Sequence, residues 1–171
     1  HFNGKVNLPK SLVRDDVRIV EQQGRGLSRS RNCAIENACG DICLIADDDL
    51  RYTEPQLREV MRVFDNHPHL DVATLKYDSA NSPKQYPDTE FDLRTPAKGY
   101  FVTSFEIAFR RNSMLSKNIR FNEKFGLGAP VLSSGEEGVL ICDMLKAGLE
   151  CRLFTIAVVC HDEATTCDSR P

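Results

Sequence analysis

At 171 residues the chain has the length of one domain, long enough to bury about 70% of its unfolded surface. A hydrophobic content of 41%, a charged content of 27% and a net charge of −3 describe an ordinary soluble domain and argue against a polyanion-binding surface, so nucleic acid is not an expected partner. Trp is absent and aromatics make up 8%, which leaves little for base stacking, and no stretch is apolar for long enough to span a bilayer.

Residues 1–16 read as loop, and Val17–Val20 as a short strand. The turn Gln23-Gly24-Arg25-Gly26 then leads into a helix that Ser28 or Ser30 can cap. That helix should turn Ala34, Ile35 and Ala38 toward the core and stop at Gly40. Its first turn places Arg29 and Arg31 beside free backbone N–H groups, where an anion could bind.

Ile42–Ala46 follows as a short apolar run with the pattern of a fully buried strand, ending in Asp47, Asp48 and Asp49. Ligand sites in open α/β sheets lie beyond the carboxyl ends of such strands. Three adjacent carboxylates repel one another, so they need either open solvent or a cation. Thr53 and Gln56 have capping-box spacing, with Pro55 in the first turn. Leu57, Val60, Met61 and Phe64 continue as a helical stripe that His67-Pro68 ends. Val72–Tyr77 is the next strand, and a helix between two strands is the signal of a parallel sheet.

Residues 78–98 carry Pro83, Pro87 and Pro96 without a period, which marks a functional or mobile loop. Alternation returns at Thr103–Phe109, with Phe105, Ile107 and Phe109 on one face. Arg110-Arg111-Asn112 opens a short helical turn, and Phe125-Gly126-Leu127-Gly128-Ala129-Pro130 is a shaped loop. The last strong helix begins at Gly135-Glu136-Glu137, buries Val139, Leu140, Cys142, Met144 and Leu145, and ends at Gly148. Acidic residues in a first turn are favoured by the helix dipole, so Glu136 and Glu137 are either caps or chemistry. Cys151–Phe154 and Ile156–Cys160 read as two closing strands, with His161 just past them as a surface residue or a ligand. The seven cysteines are Cys33, Cys39, Cys43, Cys142, Cys151, Cys160 and Cys167. An odd number without a C-x-x-C pair, most among apolar neighbours, reads as reduced, buried thiols in a cytoplasmic protein.

Taken together, Gly26-Leu27-Ser28-Arg29-Ser30-Arg31-Asn32, Gly40-Asp41-Ile42, Asp47-Asp48-Asp49, Phe125-Gly126-Leu127-Gly128 and Gly135-Glu136-Glu137 resemble family 2 glycosyltransferases of the GT-A fold, over roughly residues 17–163. The resemblance implies an α/β domain with a mixed, mostly parallel sheet flanked by helices. It implies inverting transfer from a nucleotide diphosphate sugar, UDP-linked by preference, to a hydroxyl of a glycan or glycolipid, as in polysaccharide biosynthesis. Asp49 and His161 would ligate Mn²⁺ or Mg²⁺. Arg31, Asp47, Asp48 and Gly135 would contact the nucleotide sugar, and Glu137 or its neighbour Glu136 would be the base. The family's second acidic motif is usually Glu-Asp, so Glu136-Glu137 departs from it by one methylene.

The strand–helix–strand unit with which family members begin is not recognisable, so the single domain, 1–171, reads as incomplete at its N-terminus. That predicts an open sheet edge, an uncovered apolar face on Ile42–Ile45, and either a homo-oligomer or a longer protein. Peripheral association with the inner face of the membrane stays open beside a cytoplasmic location. Three other readings stand against the transferase: a degenerate domain serving assembly, a glycosidase using two carboxylates, and a metal-dependent phosphohydrolase. The last wants Asp-x-Asp-x-Thr/Val, and Arg51 at the fifth position counts against it.

Overall fold

The structure is a computed structural model that describes residues 10–47, 50–78, 84–95 and 99–160. Its elements run α1 (Leu27–Asn37), β1 (Ile42–Leu44), α2 (Glu54–Asn66), β2 (Val72–Asp78), β3 (Phe91–Asp92), β4 (Ile107–Arg110), α3 (Arg111–Ser116), α4 (Glu136–Lys146) and β5 (Cys151–Cys160). The strands form one five-stranded sheet in the order β1-β4-β2-β5-β3.

Helices cover both faces, and the period-2 alternation of the strands decides which residues each face receives. On one side Ile35 of α1, Met114 of α3 and Leu140, Ile141 and Met144 of α4 meet Val72, Ile107, Phe109, Cys151 and Leu153. On the other, Val60, Val63 and Phe64 of α2 meet Ala73, Leu75, Ala108, Phe154 and Val158. Burying a side chain such as Phe64 stabilises the fold by about 1.5–3 kcal/mol.

The mostly parallel sheet expected from the sequence is corrected. Among the strands of the described residues only β2 and β5 pair in parallel; β1 with β4, β2 with β4 and β3 with β5 are antiparallel. The β1–α2–β2 unit does carry its two strands in the same direction. Strand β4, arriving later in the chain, inserts between them antiparallel to both and removes the parallel adjacency.

Several local expectations also change. Residues 17–20 form no strand, and Ile19 and Val20 lie exposed because among the described residues no neighbouring strand receives them. Strand β1 is half-buried, not fully buried, since it sits at a sheet edge and pairs with β4 alone among the described residues. Helix α2 begins as expected, with Thr53 Oγ1 accepting from Gln56 N and Gln56 Oε1 accepting from Thr53 N. Its stripe is shifted, however: Val63 is buried while Leu57 and Met61 are exposed. In α4, Ile141 is buried and Cys142 exposed.

The two closing strands are one continuous β5. Its register against β2 shifts between Thr74 and Lys76 and again between Lys76 and Tyr77, which explains why the apolar pattern breaks at Thr155. The expected buried thiols are corrected too. Of the five described free cysteines, Cys151 is buried, Cys33 and Cys43 are half-buried, and Cys39 and Cys142 are exposed. Among the described residues no helix is long and apolar enough to cross a membrane.

Candidate active site

Helix α1 is where sequence pattern and structure diverge most. Its buried residues are Ser28, Arg31, Asn32 and Ile35, a stripe at helical spacing that is polar in three positions of four. Ala34 is exposed, and the helix ends at Asn37, not at Gly40. Neither Ser28 nor Ser30 caps it: the cap position is Gly26, at φ 131°, and no side chain bonds the first turn there.

The polar stripe docks α1 on the loop before α4. Ser28 Oγ donates to Phe125 O at 2.7 Å. Asn32 clamps one residue twice, with its Nδ2 donating to Phe121 O at 2.9 Å and its Oδ1 accepting from Phe121 N at 2.8 Å. Arg29, exposed, pairs with Glu123.

Arg31 is buried beneath this docking surface. Its Nη1 donates to Glu136 Oε1 at 3.0 Å and to Glu137 Oε1 at 3.2 Å, and its Nη2 to Asp47 Oδ1 at 3.3 Å. One guanidinium therefore joins the acidic start of α4 to the carboxylate just beyond β1. The fork geometry of arginine makes such multiple engagement possible. Arg31 Nε is left without a partner among the described residues. An unsatisfied buried donor costs about 1–3 kcal/mol, so the head group is placed for its carboxylates at a local penalty.

The two glutamates are not equivalent. The Glu136 side chain is 6% exposed and locked on Arg31, whereas that of Glu137 is 16% exposed. Burial raises the Glu137 carboxyl above the ordinary value, the adjacent Glu136 charge adds to the rise, and Arg31 pulls the other way. Gly135 supplies the left-handed turn, φ 86°, that aims the first turn of α4 at Arg31. Gly126, at φ 99°, is pressed against the same group: a Cβ there would lie 2.9 Å from Ser28 Oγ and 3.1 Å from Glu136 Cδ.

Asp47, 34% exposed at its side chain, receives a second donor on its other oxygen, Ser104 Oγ at 3.2 Å. Tyr52 stands close by with its hydroxyl toward Ile45 O, and burial followed by the Asp47 charge pushes its phenol up to about 12. Reading the sequence missed Ser104, Tyr52 and Asn32. Only Asn32 left a signal, as the last residue of the Gly26–Asn32 motif. Of the expected site residues, Arg31, Asp47, Gly135, Glu136 and Glu137 come together, while Asp48, Asp49 and His161 lie outside the described residues.

Arg31 and Asp47 fall within residues 9–128, which match the model of glycosyl transferase family 2. The chain belongs to glycosyl transferase family 2. That membership displaces the phosphohydrolase and glycosidase readings of the carboxylates. No curated protein sequence matches this family 2 domain. Among solved structures it is similar to TarS from S. aureus. TarS 1–349 in complex with UDP-GlcNAc superposes with a TM-score of 0.68 at 19% identity, covering 91% of this chain and 45% of that one. TarS 1–349 in complex with UDP gives 0.61 at 21% identity, covering 81% and 40%. At such identities the likeness is one of fold, of the GT-A type, and this chain spans less than half the length of the TarS chains.

Proposed function

We propose that this family 2 domain carries the leaving-group and base portions of an inverting glycosyltransferase site. It would move a sugar from a nucleotide diphosphate sugar, UDP-linked, to a hydroxyl of a glycan or glycolipid. The observation that carries the reading is the Arg31 bridge, which holds Asp47 and the Glu136-Glu137 pair around one buried cation. The UDP-GlcNAc and UDP bound in TarS support the choice of donor.

Glu137 is the candidate base. It is the more accessible of the two glutamates, and its raised carboxyl is closer to the range in which a base works at neutral pH. The acceptor hydroxyl oxygen forms a bond to the anomeric carbon while the bond from that carbon to the diphosphate oxygen breaks. The hydroxyl proton passes to Glu137, and the electron pair leaves with the nucleoside diphosphate. No covalent enzyme intermediate is required. Glu136 holds Arg31 in place, while Arg31, Asp47, Asp48 and Gly135 contact the nucleotide sugar.

The donor chemistry suits a hard divalent cation such as Mn²⁺ or Mg²⁺. Asp47 presents carboxylate oxygens with two hydrogen bonds between them, which leaves lone pairs free. Asp49 and His161 would complete that site, and among the described residues alone no cluster suffices to hold a metal. The cation, when bound, neutralises charge on the departing diphosphate.

Calorimetry with Mn²⁺ and UDP on wild type and Asp49→Ala tests the donor site. Binding is expected in the wild type and its loss in the variant, and equal binding in both would remove Asp49 from the metal role.

A further inference from the structure

Beside the candidate site lies a second charged group that the transfer chemistry does not use. Glu106 is completely buried, with a side-chain exposure of 0%, and Lys84 is buried at 5%. Lys84 Nζ donates to both carboxylate oxygens of Glu106, at 2.8 and 2.7 Å. Glu106 also accepts from the Tyr86 hydroxyl and from Thr103 N, the latter at 2.7 Å.

The Lys84 ammonium stands over the rings of Tyr86, Tyr100 and Phe101, at 5.1, 5.1 and 4.5 Å. Burial lowers its pKa against the pull of Glu106, the expected cost of desolvating a cation for a structural purpose. The cluster ties residues 84–86, across the polar loop, to the start of β4.

What it holds in place is the 3₁₀ turn Ser104–Glu106, the segment from which Ser104 Oγ donates to Asp47 Oδ2 at 3.2 Å. Ser104 is itself buried. Asp47 is thus oriented from two sides, by Arg31 on one oxygen and by the turn on the other. We propose that Lys84 and Glu106 are a positioning pair for the nucleotide-sugar site, acting through Ser104 on the Asp47 carboxylate. The proposal rests on the transferase reading of Asp47. The route needs no substrate contact from either residue: Glu106 fixes the turn, the turn fixes Ser104, and Ser104 fixes the rotamer of Asp47.

A double-mutant cycle on the full-length protein tests it, with UDP affinity in Mn²⁺ by calorimetry and melting temperature recorded together. Ser104→Ala should weaken UDP binding about tenfold, the size expected for loss of one hydrogen bond to a charged acceptor, alongside a melting-temperature drop of several degrees. Lys84→Met combined with Glu106→Gln, neutral on both sides so that no buried charge is stranded, should cause a similar loss. Adding Ser104→Ala to that pair should cost little more, because both changes break one chain of contacts. Ser104→Thr, which keeps the hydroxyl, should restore most of the affinity.

A purely structural pair would lower the melting temperature and leave UDP affinity alone, which would overturn the proposal. Fully multiplied losses in the triple variant would overturn it as well. A wild-type protein that binds no UDP would instead refute the transferase reading.

Discussion

Gly126→Ala puts one methyl group against the candidate base region, and its cost separates into two parts. The first is conformational. At φ 99° an L-residue pays about 1–2 kcal/mol that glycine does not. For a chain of this size that lowers the melting temperature by about 2–8 °C. The second is steric: the new Cβ lies 2.9 Å from Ser28 Oγ and 3.1 Å from Glu136 Cδ, inside ordinary contact distance. Glu136 must retreat by about 0.3 Å and Ser28 by about 0.5 Å, in surroundings packed too tightly to absorb the shift for nothing.

Glu136 holds Arg31, and Arg31 holds Glu137 and Asp47, so the retreat reaches all three carboxylates. A misplacement of about half the 1 Å that can cost about 100-fold should lower turnover by about 10-fold. Gly148→Ala is the matched control: its φ is 80°, a Cβ there meets nothing within 4 Å, and it stands past the far end of α4. Thermal melts and donor-hydrolysis rates on both variants should show a melting loss in each, the larger in Gly126→Ala, but a rate loss only for Gly126→Ala. Equal rate losses, or an active Gly126→Ala, would refute the contact argument.

Arg31→Met strands buried carboxylates and should cost about 3–5 kcal/mol in urea unfolding, and Glu136→Gln in the same background should return part of that loss. Glu137→Gln should abolish transfer while keeping UDP binding, since an amide accepts no proton, and an active variant would end the base assignment. Its stability has a definite sign. A carboxyl raised in the folded state opposes folding once ionised, so the penalty is absent below the unfolded value and complete above the folded one. Before the lost Arg31 contact is counted, the melting temperature of Glu137→Gln relative to wild type should therefore climb as pH rises through that window. Cys39 and Cys142, both exposed, should react with a thiol reagent in the native state, whereas Cys151, buried and raised to about 12, should react only on unfolding.

What the sequence made legible was whatever depends on short-range chemistry. Thr53-Glu54-Pro55-Gln56 states its own helix start, and Gly135-Glu136-Glu137 marks a helix start by its turn residue and dipole. It was the resemblance of the motifs to family 2, not any single pattern, that put Arg31, Asp47, Glu136 and Glu137 into one expected site. Pairing direction was less accessible. Whether β4 runs with or against β2 is decided by a strand more than 25 residues downstream of β2, and the pattern of β2 is the same either way.

The buried stripe of α1 was missed because hydrophobic periodicity presumes an apolar interior face, and here the interior partner is a loop offering carbonyls and carboxylates. The Lys84–Glu106 pair was invisible for a related reason. Two charged residues 22 positions apart carry no local mark of burial, and only the rings of Tyr86, Tyr100 and Phe101 gathered around Lys84 make them a buried unit.

The sheet also acts as a partition between two kinds of constraint. Arg31, Glu136 and Glu137 stand on helices of the α1–α4 face, where packing and chemistry share the same elements. The α2 face is built from Val60, Val63, Phe64 and the outward side chains of the central strands, without any of these three. Thermal tolerance can therefore be adjusted on the α2 side by repacking aliphatic volume, with little consequence for the geometry around Arg31. On the proposed transferase reading, a change of substrate preference falls on the opposite side, where altering Arg31, Glu136 or Glu137 also disturbs the docking of a helix. On that reading, heat tolerance could be gained without touching the site, whereas acceptance of a new sugar would require a helix to dock anew.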